Sequence, residues 1–77
     1  MGGIFVTDFE KIEILAEAMD VDVEDLNETD DLTQKTEWDS LAVLSFMANV
    51  AAKCGKKLKP QEVQDVVTVR DALNLIP

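Results

Sequence analysis

Four consecutive residues, Trp38-Asp39-Ser40-Leu41, hold the side chains best suited to covalent chemistry in this sequence. Ser40 offers a hydroxyl group between an acidic residue and a long apolar run. A serine at the start of a helix is commonly a cap that accepts a hydrogen bond from a first-turn amide. The same position suits a modified serine, because free amides and the positive end of the helix dipole favour a bound phosphate group. The residues alone leave both roles open.

The composition argues against catalysis by this serine itself. The chain has 77 residues, no His, no Tyr and one Cys, so a histidine base, a Cys/His metal site and a disulfide framework all lack their residues. A chain of this length forms one small domain without room for a deep catalytic pocket. We therefore expect residues 1–77 to form a single non-enzymatic domain. If Ser40 is modified rather than a cap, its activation must come from another protein, and Ser40 is then a substrate and not a catalyst. Cys54 is expected to be a small buried apolar residue.

The negative charge is concentrated in the first half of the chain. The net charge is −9, and residues 1–39 carry thirteen acidic residues against two lysines. Such a surface repels phosphate, so we expect no nucleic acid partner and favour basic protein surfaces. Residues 1–6 lack the basic region and apolar run of a signal peptide, and Val6 stands where a myristoylation signal has Ser or Thr. We expect a cytoplasmic protein without a membrane partner.

The first helix is predicted over residues 8–19. Thr7 and Glu10 form a capping box, in which each side chain pairs with an unsatisfied amide of the first turn. Apolar residues then recur at helical spacing and predict the inward face: Phe9, Ile12, Leu15, Ala16 and Met19. Residues 20–37 predict a long acidic loop, since their apolar residues are isolated anchors: Val21, Val23, Leu26 and Leu32.

Three further helices are predicted in the second half. Residues 41–53 are apolar almost throughout, and Gly55 suits the end of this helix. Pro60 suits a first helical position and predicts a short helix over 60–65. Thr68 and Asp71 form a second capping box before a closing helix, with inward residues Val69, Ala72, Leu73 and Ile76. No segment alternates with period two. The expected fold is an all-α, monomeric, small four-helix bundle, with three main helices, one short helix and a long loop between the first two.

These segments occur in a characteristic order. Asp31-Leu32 precedes Asp39-Ser40-Leu41, Gly55 ends the second helix, and Thr68-Val69-Arg70-Asp71-Ala72 opens the last one. In this order, nearly the whole chain resembles an acyl carrier protein. Asp-Ser-Leu alone is a short and common string, so the resemblance depends on its register with the other segments.

The resemblance implies a covalent cofactor on Ser40. In the family, the corresponding serine is joined by a phosphodiester to 4'-phosphopantetheine, which a separate phosphopantetheinyl transferase (holo-synthase) takes from coenzyme A. The thiol of this arm carries acyl or aminoacyl groups as thioesters. Asp39 and Leu41 correspond to the flanking motif. The implied partners also include acyl-loading and acyl-transferring enzymes of a fatty-acid, polyketide or other specialised biosynthetic pathway.

The helix after Ser40 departs from the family pattern. Carriers of primary fatty acid synthesis usually display acidic residues there, whereas this chain has none between Asp39 and Glu62. A neutral helix cannot steer basic partners by charge. We therefore expect a specialised carrier that docks partly through apolar contacts, with these candidate docking residues: Trp38, Ala42, Val43 and Phe46. Trp38 is equally consistent with an aromatic lid on the core.

Two other classes of function remain open at the level of sequence. Residues 20–25 resemble the start of an EF-hand, but Asp25 stands where that loop needs Gly and Asp31 where it needs Glu. We therefore expect no metal site. The second alternative is a helical interaction module without a prosthetic group, in which the apolar helix binds a partner groove and Ser40 only caps it.

Overall fold

Helix α1 spans Asp8–Met19 in a computed structural model that describes residues 7–77. The expectations drawn from residues 1–6 lie outside the described residues. The predicted capping box is present: Thr7 Oγ1 accepts a hydrogen bond from the amide of Glu10 at 3.1 Å, and the Thr7 amide donates to Glu10 Oε1 at 3.2 Å. The helix ends at Asp20, which adopts a left-handed conformation with φ 58°.

The buried face of α1 differs from the expected one at its first turn. Leu15, Ala16 and Met19 are buried as predicted, while Ile12 is half-buried. The expectation for Phe9 is wrong, since its side chain is 61% exposed to solvent. Phe9 lies at the edge of the face that points inward, which is centred on Leu15 and Met19.

The long loop between α1 and the second helix contains two short 3₁₀ turns, Val23–Asp25 and Leu32–Gln34. Leu26 and Leu32 are buried and anchor it to the core. The side chain of Asp31 caps the second turn by accepting a hydrogen bond from the amide of Thr33 at 2.8 Å.

Backbone hydrogen bonds tie the end of this loop to the segment before the last helix. The amide of Leu32 donates to the carbonyl of Val67 at 2.7 Å, and the amide of Val69 donates to the carbonyl of Asp30 at 3.0 Å. Asp31 and Thr68 form an isolated antiparallel bridge between them. Two segments distant in sequence are thereby held side by side.

The other helices are α2 (Ser40–Cys54), α3 (Pro60–Gln64) and α4 (Val69–Leu73). Helix α2 packs mainly against α1 and ends at Gly55, whose φ of 70° is the left-handed conformation expected there. The capping box before α4 is present, with Thr68 Oγ1 accepting from the amide of Asp71 at 3.2 Å.

The helices enclose one hydrophobic core. Its fully buried large side chains come from α1, the loop and α2 to α4: Leu15, Leu32, Phe46, Val50, Val63, Val69 and Leu73. The prediction of a small four-helix bundle is confirmed, and residues 7–77 contain no β-strand. The expected three main helices and one short helix are corrected to two long and two short ones, since α3 and α4 have five residues each. Within that range, no helix combines the length and the apolar character needed to cross a bilayer.

Candidate functional site

Ser40 is the first residue of α2, and the cap of this helix is its neighbour Asp39. Asp39 Oδ1 accepts a hydrogen bond from the amide of Ala42 at 2.9 Å, and the Asp39 carbonyl accepts one from the amide of Val43 at 3.0 Å. Ser40 is exposed, and its hydroxyl has no hydrogen-bond partner among residues 7–77. Of the two roles left open by the sequence, capping therefore falls to Asp39.

The surroundings of Ser40 suit a phosphodiester. A helix of 15 residues begins there, so the positive end of its dipole lies beside the hydroxyl. Of the first amides of α2, that of Ala42 is bound by Asp39, whereas those of Ser40 and Leu41 have no partner among residues 7–77 and are available to phosphate oxygens. Because Ser40 makes no hydrogen bond with the described residues, a group attached to its oxygen breaks no contact in that part of the chain. The residues therefore fit a phosphate-linked prosthetic group.

Trp38 lies half-buried at the end of the loop, directly before the helix. Its ring meets Phe46 edge to face, with ring centroids 5.9 Å apart and an angle of 71° between the planes. Its amide donates to the carbonyl of Lys35 at 3.1 Å. These contacts fix the position from which α2 starts, as an aromatic lid on the core would.

A groove of about 620 Å³ opens beside Ser40 and runs between α2 and α3. Its lining is mainly apolar and includes Trp38, Val43, Leu44, Met47, Val63 and Val66. An apolar groove of this size next to the hydroxyl offers shelter to an apolar group held near Ser40.

The predicted docking residues of α2 are only partly on the surface. Val43 is half-buried, but Ala42 and Phe46 belong to the core, and Phe46 has 0% of its surface exposed. The expectation that Ala42 and Phe46 present their side chains to a partner is therefore wrong. Residues 42, 46 and 50 follow helical spacing on the side of α2 that packs against the core.

The exposed face of α2 consists of other residues. Leu41 is 74% exposed and Leu44 62% exposed, and both lie within one turn of Ser40. The uncharged exposed residues of α2 that share this face form what we call the α2 stripe: Leu41, Leu44, Ser45, Ala48 and Ala52. These residues follow Leu41 at helical spacing, but the buried residues 42, 46 and 50 are spaced in the same way, so no signal in the sequence distinguishes the two faces.

Two remaining candidates lie away from Ser40. Cys54 ends α2 and is half-buried against the core rather than fully buried. Residues 20–25 comprise the cap that follows α1 and the 3₁₀ turn Val23–Asp25. Within residues 7–77, no three Cys, Asp or Glu side chains converge as metal ligands would.

Comparison with known proteins gives one family match. The family model described as "Phosphopantetheine attachment site" matches residues 12–76, which include Ser40 and the last three helices. No curated protein matches the chain. The match covers most of the sequence, and the resemblance drawn from the residues is confirmed. The chain therefore belongs to the acyl carrier protein family, whose members are non-catalytic carriers of covalently attached 4'-phosphopantetheine.

Proposed function

We propose that Ser40 is the residue that carries the 4'-phosphopantetheine arm. The observation that supports this most strongly is the division of roles between two neighbours: Asp39 caps α2, and the exposed hydroxyl of Ser40 has no partner among residues 7–77. The arm then carries acyl or related groups as thioesters between enzymes of a fatty-acid, polyketide or other specialised biosynthetic pathway.

The attachment step needs a second protein. Ser40 Oγ forms a bond to the phosphorus next to the pantetheine of coenzyme A, the pyrophosphate bond breaks, and adenosine 3',5'-bisphosphate leaves. The hydroxyl proton must pass to a base. The chain has no His, and the Asp39 carboxylate already accepts the Ala42 amide. The base and the coenzyme site therefore belong to a phosphopantetheinyl transferase.

The neighbours of Ser40 have separate roles in this proposal. Asp39 holds the start of α2 in the shape that exposes the hydroxyl, and Leu41 offers apolar surface one residue further on. Trp38 closes the core beneath the attachment point through its contact with Phe46. The groove between α2 and α3 shelters the apolar part of a cargo.

We further propose that the carrier serves a specialised pathway. The α2 stripe carries no acidic residue, so partners dock through apolar contacts with Leu41, Leu44 and the half-buried Val43. The partners are acyl-loading and acyl-transferring enzymes, which visit a monomeric carrier one at a time. A cytoplasmic site of action is supported by the single free cysteine, Cys54.

The test of attachment uses the two serines of the chain. The purified protein is incubated with coenzyme A, magnesium and a broad-specificity phosphopantetheinyl transferase, and its intact mass is measured. We expect one phosphopantetheine on the wild type and on Ser45→Ala, and none on Ser40→Ala. Ser45 is an exposed serine on the same helix and is therefore a matched control. An unmodified wild type, under conditions that load a known carrier, would contradict the proposal and favour a plain interaction module.

The specialised role has its own test. The loaded protein is offered to the enzymes of primary fatty acid synthesis beside a housekeeping carrier. We expect elongation at least tenfold slower on this chain, because its α2 stripe lacks the acidic residues that basic partners select. Elongation at a similar rate would argue for a primary fatty-acid carrier.

A further inference from the structure

The segment that follows the α2 stripe in the chain is basic, although the protein as a whole is strongly acidic. Residues 40–61 contain four lysines and no acidic residue, in a chain of net charge −9. Two of these lysines, Lys56 and Lys57, directly follow Gly55 at the end of α2. Along the chain from Ser40, the exposed residues therefore pass from apolar to positively charged.

The four lysines are not equally available to a partner. Lys53 is engaged with Glu17, with Nζ to Oε2 at 2.9 Å, and this pair raises the pKa of Lys53. Lys59 is exposed and forms no ion pair with any of residues 7–77, since the Glu62 carboxylate accepts only its backbone amide, at 3.4 Å. Lys56 and Lys57 are exposed and form no ion pair with any of residues 7–77. The uncompensated positive charge is therefore carried by Lys56, Lys57 and Lys59, and the first two of these directly follow the end of α2.

We propose that the α2 stripe together with Lys56 and Lys57 docks an enzyme whose facing surface is apolar near Leu41 and Leu44 and acidic near the lysines. This inference rests on the proposed function, because an enzyme that acts at Ser40 must approach this face. Charge complementarity selects the partner. A basic patch facing Lys56 and Lys57 would be repelled there, whereas the acidic first half of the chain favours basic surfaces on other sides of the protein.

The dimensions of the surface suit a transient complex. Fifteen residues of helix rise about 22 Å from Ser40 to Gly55, so one partner of ordinary size contacts both ends. Ser45, Ala48 and Ala52 lie between the leucines and the lysines, and their small side chains allow close approach. A patch of this extent belongs with the small interfaces of short-lived encounters.

A protein fits this surface better than a nucleic acid or an anionic membrane. Thirteen acidic residues lie in the first 39 positions, and this charge opposes approach to an extended layer of phosphates. An enzyme presents a bounded acidic patch to the two lysines and leaves the acidic loop in solvent.

The experiment uses one phosphopantetheinyl transferase in two forms. The first form has an acidic carrier-binding surface, and in the second those acidic residues are changed to lysine. The kcat/KM for loading Ser40 is measured with each form at low and high salt. A family member with acidic residues on its second helix serves as the control that the charge-reversed enzyme is active.

We expect the wild-type chain to be loaded at least threefold faster by the acidic form at low salt. Lys57→Glu should lower that rate at least threefold and raise the rate with the charge-reversed form. Lys11→Glu makes the same charge change on α1 and should leave the preference intact. Leu44→Ala should slow both forms, whereas Phe9→Ala, which removes an equally exposed apolar side chain, should not. Salt of about 0.5 M should reduce the charge effects, since screening is then nearly complete within a few ångströms.

Several outcomes would overturn the inference. The first is equal loading by both enzyme forms, and the second is faster loading by the charge-reversed form. The third is binding of the wild type, but not Lys57→Glu, to phosphatidylglycerol vesicles, which would assign the surface to lipid. If neither form loads Ser40 while the control carrier is loaded, the proposed function itself fails. If Ser40 is loaded but its loading rate is unchanged by Lys57→Glu, the docking proposal fails and the proposed function stands.

Discussion

Asp39 Oδ1 lies 2.9 Å from the backbone nitrogen of Ala42, and this hydrogen bond makes Asp39 the cap of α2. The adjacent hydroxyl of Ser40 is therefore not needed to cap the helix. The acidic residue beside Ser40 has a physical reason to be there, independent of any contact with a partner.

Substitutions at these two neighbours should separate stability from modification. Asp39→Ala should lower the free energy of unfolding by about 1 kcal/mol, because the Ala42 amide loses its acceptor. Ser40→Ala should change it by less than about 0.5 kcal/mol, as expected for an exposed side chain without special contacts. Urea unfolding followed by circular dichroism measures both. Asp39→Asn keeps a good cap and is the control. If Ser40→Ala lowered the free energy of unfolding more than Asp39→Ala, the cap would be assigned to the wrong residue.

Removal of the Trp38 ring should destabilise the fold. We expect Trp38→Ala to cost about 2 kcal/mol, less than the ~3–5 kcal/mol of a fully buried aromatic residue, because Trp38 is half-buried. Trp38→Phe should retain most of that stability through an edge-to-face contact with Phe46. The chain has a single Trp, so unfolding of these variants is followed by circular dichroism rather than fluorescence. If Trp38→Ala were as stable as the wild type, Trp38 would act only in docking partner proteins and not as a lid on the core.

Gly55 should resist replacement for conformational reasons. Its φ of 70° is unfavourable for residues with a Cβ, whereas a Cβ placed there meets no atom of the described structure within 4 Å. We expect Gly55→Ala to lower the free energy of unfolding by about 1 kcal/mol through backbone strain. Gly55→Asn should cost less, since Asn tolerates this conformation. Thermal unfolding of the wild type, Gly55→Asn and Gly55→Ala checks this order of stability. An unchanged unfolding midpoint for Gly55→Ala would show that alanine is not strained at this position.

The carboxyl group of Asp71 should make stability depend on acid pH. The backbone amide of Thr68, then that of Val67, donates to it and holds its pKa below the ordinary value of 3.8. A lowered folded-state pKa stabilises the fold above the unfolded pKa, and this stabilisation is lost as pH falls through the folded one. The stability difference between wild type and Asp71→Asn should therefore be constant above about pH 5 and shrink below pH 3.8. Urea unfolding from pH 6 to pH 2 measures it, and a difference that grew in acid would reverse the sign we assign.

The helices were predictable because their signals are local. The predicted range for α1, residues 8–19, coincides with the structure, and both capping boxes are present. The face of α2 was harder to predict. Residues 41–52 are apolar on every side, so no periodic contrast distinguishes the buried Phe46 from the exposed Leu44. Only packing against α1 decides between them.

The position of Ser40 was predictable, but the residue that caps its helix was not. Asp and Ser are similarly good caps, and the sequence places them next to each other. The pairing of Asp31 with Thr68 was also beyond sequence reasoning, since it joins two extended residues far apart in the chain. Neither Asp31 nor Thr68 belongs to a strand, so no alternation of apolar and polar residues predicts their pairing.

The hydrogen bonds from Leu32 to Val67 and from Val69 to Asp30 have a consequence for how the molecule opens. These hydrogen bonds join the two ends of the segment that contains α2 and α3. The acidic loop and the five-residue α4 therefore cannot separate from the core independently of each other. The two form one cooperative unit of unfolding. In amide hydrogen exchange, Leu32 and Val69 should therefore share one opening free energy, even though 36 positions of sequence separate them.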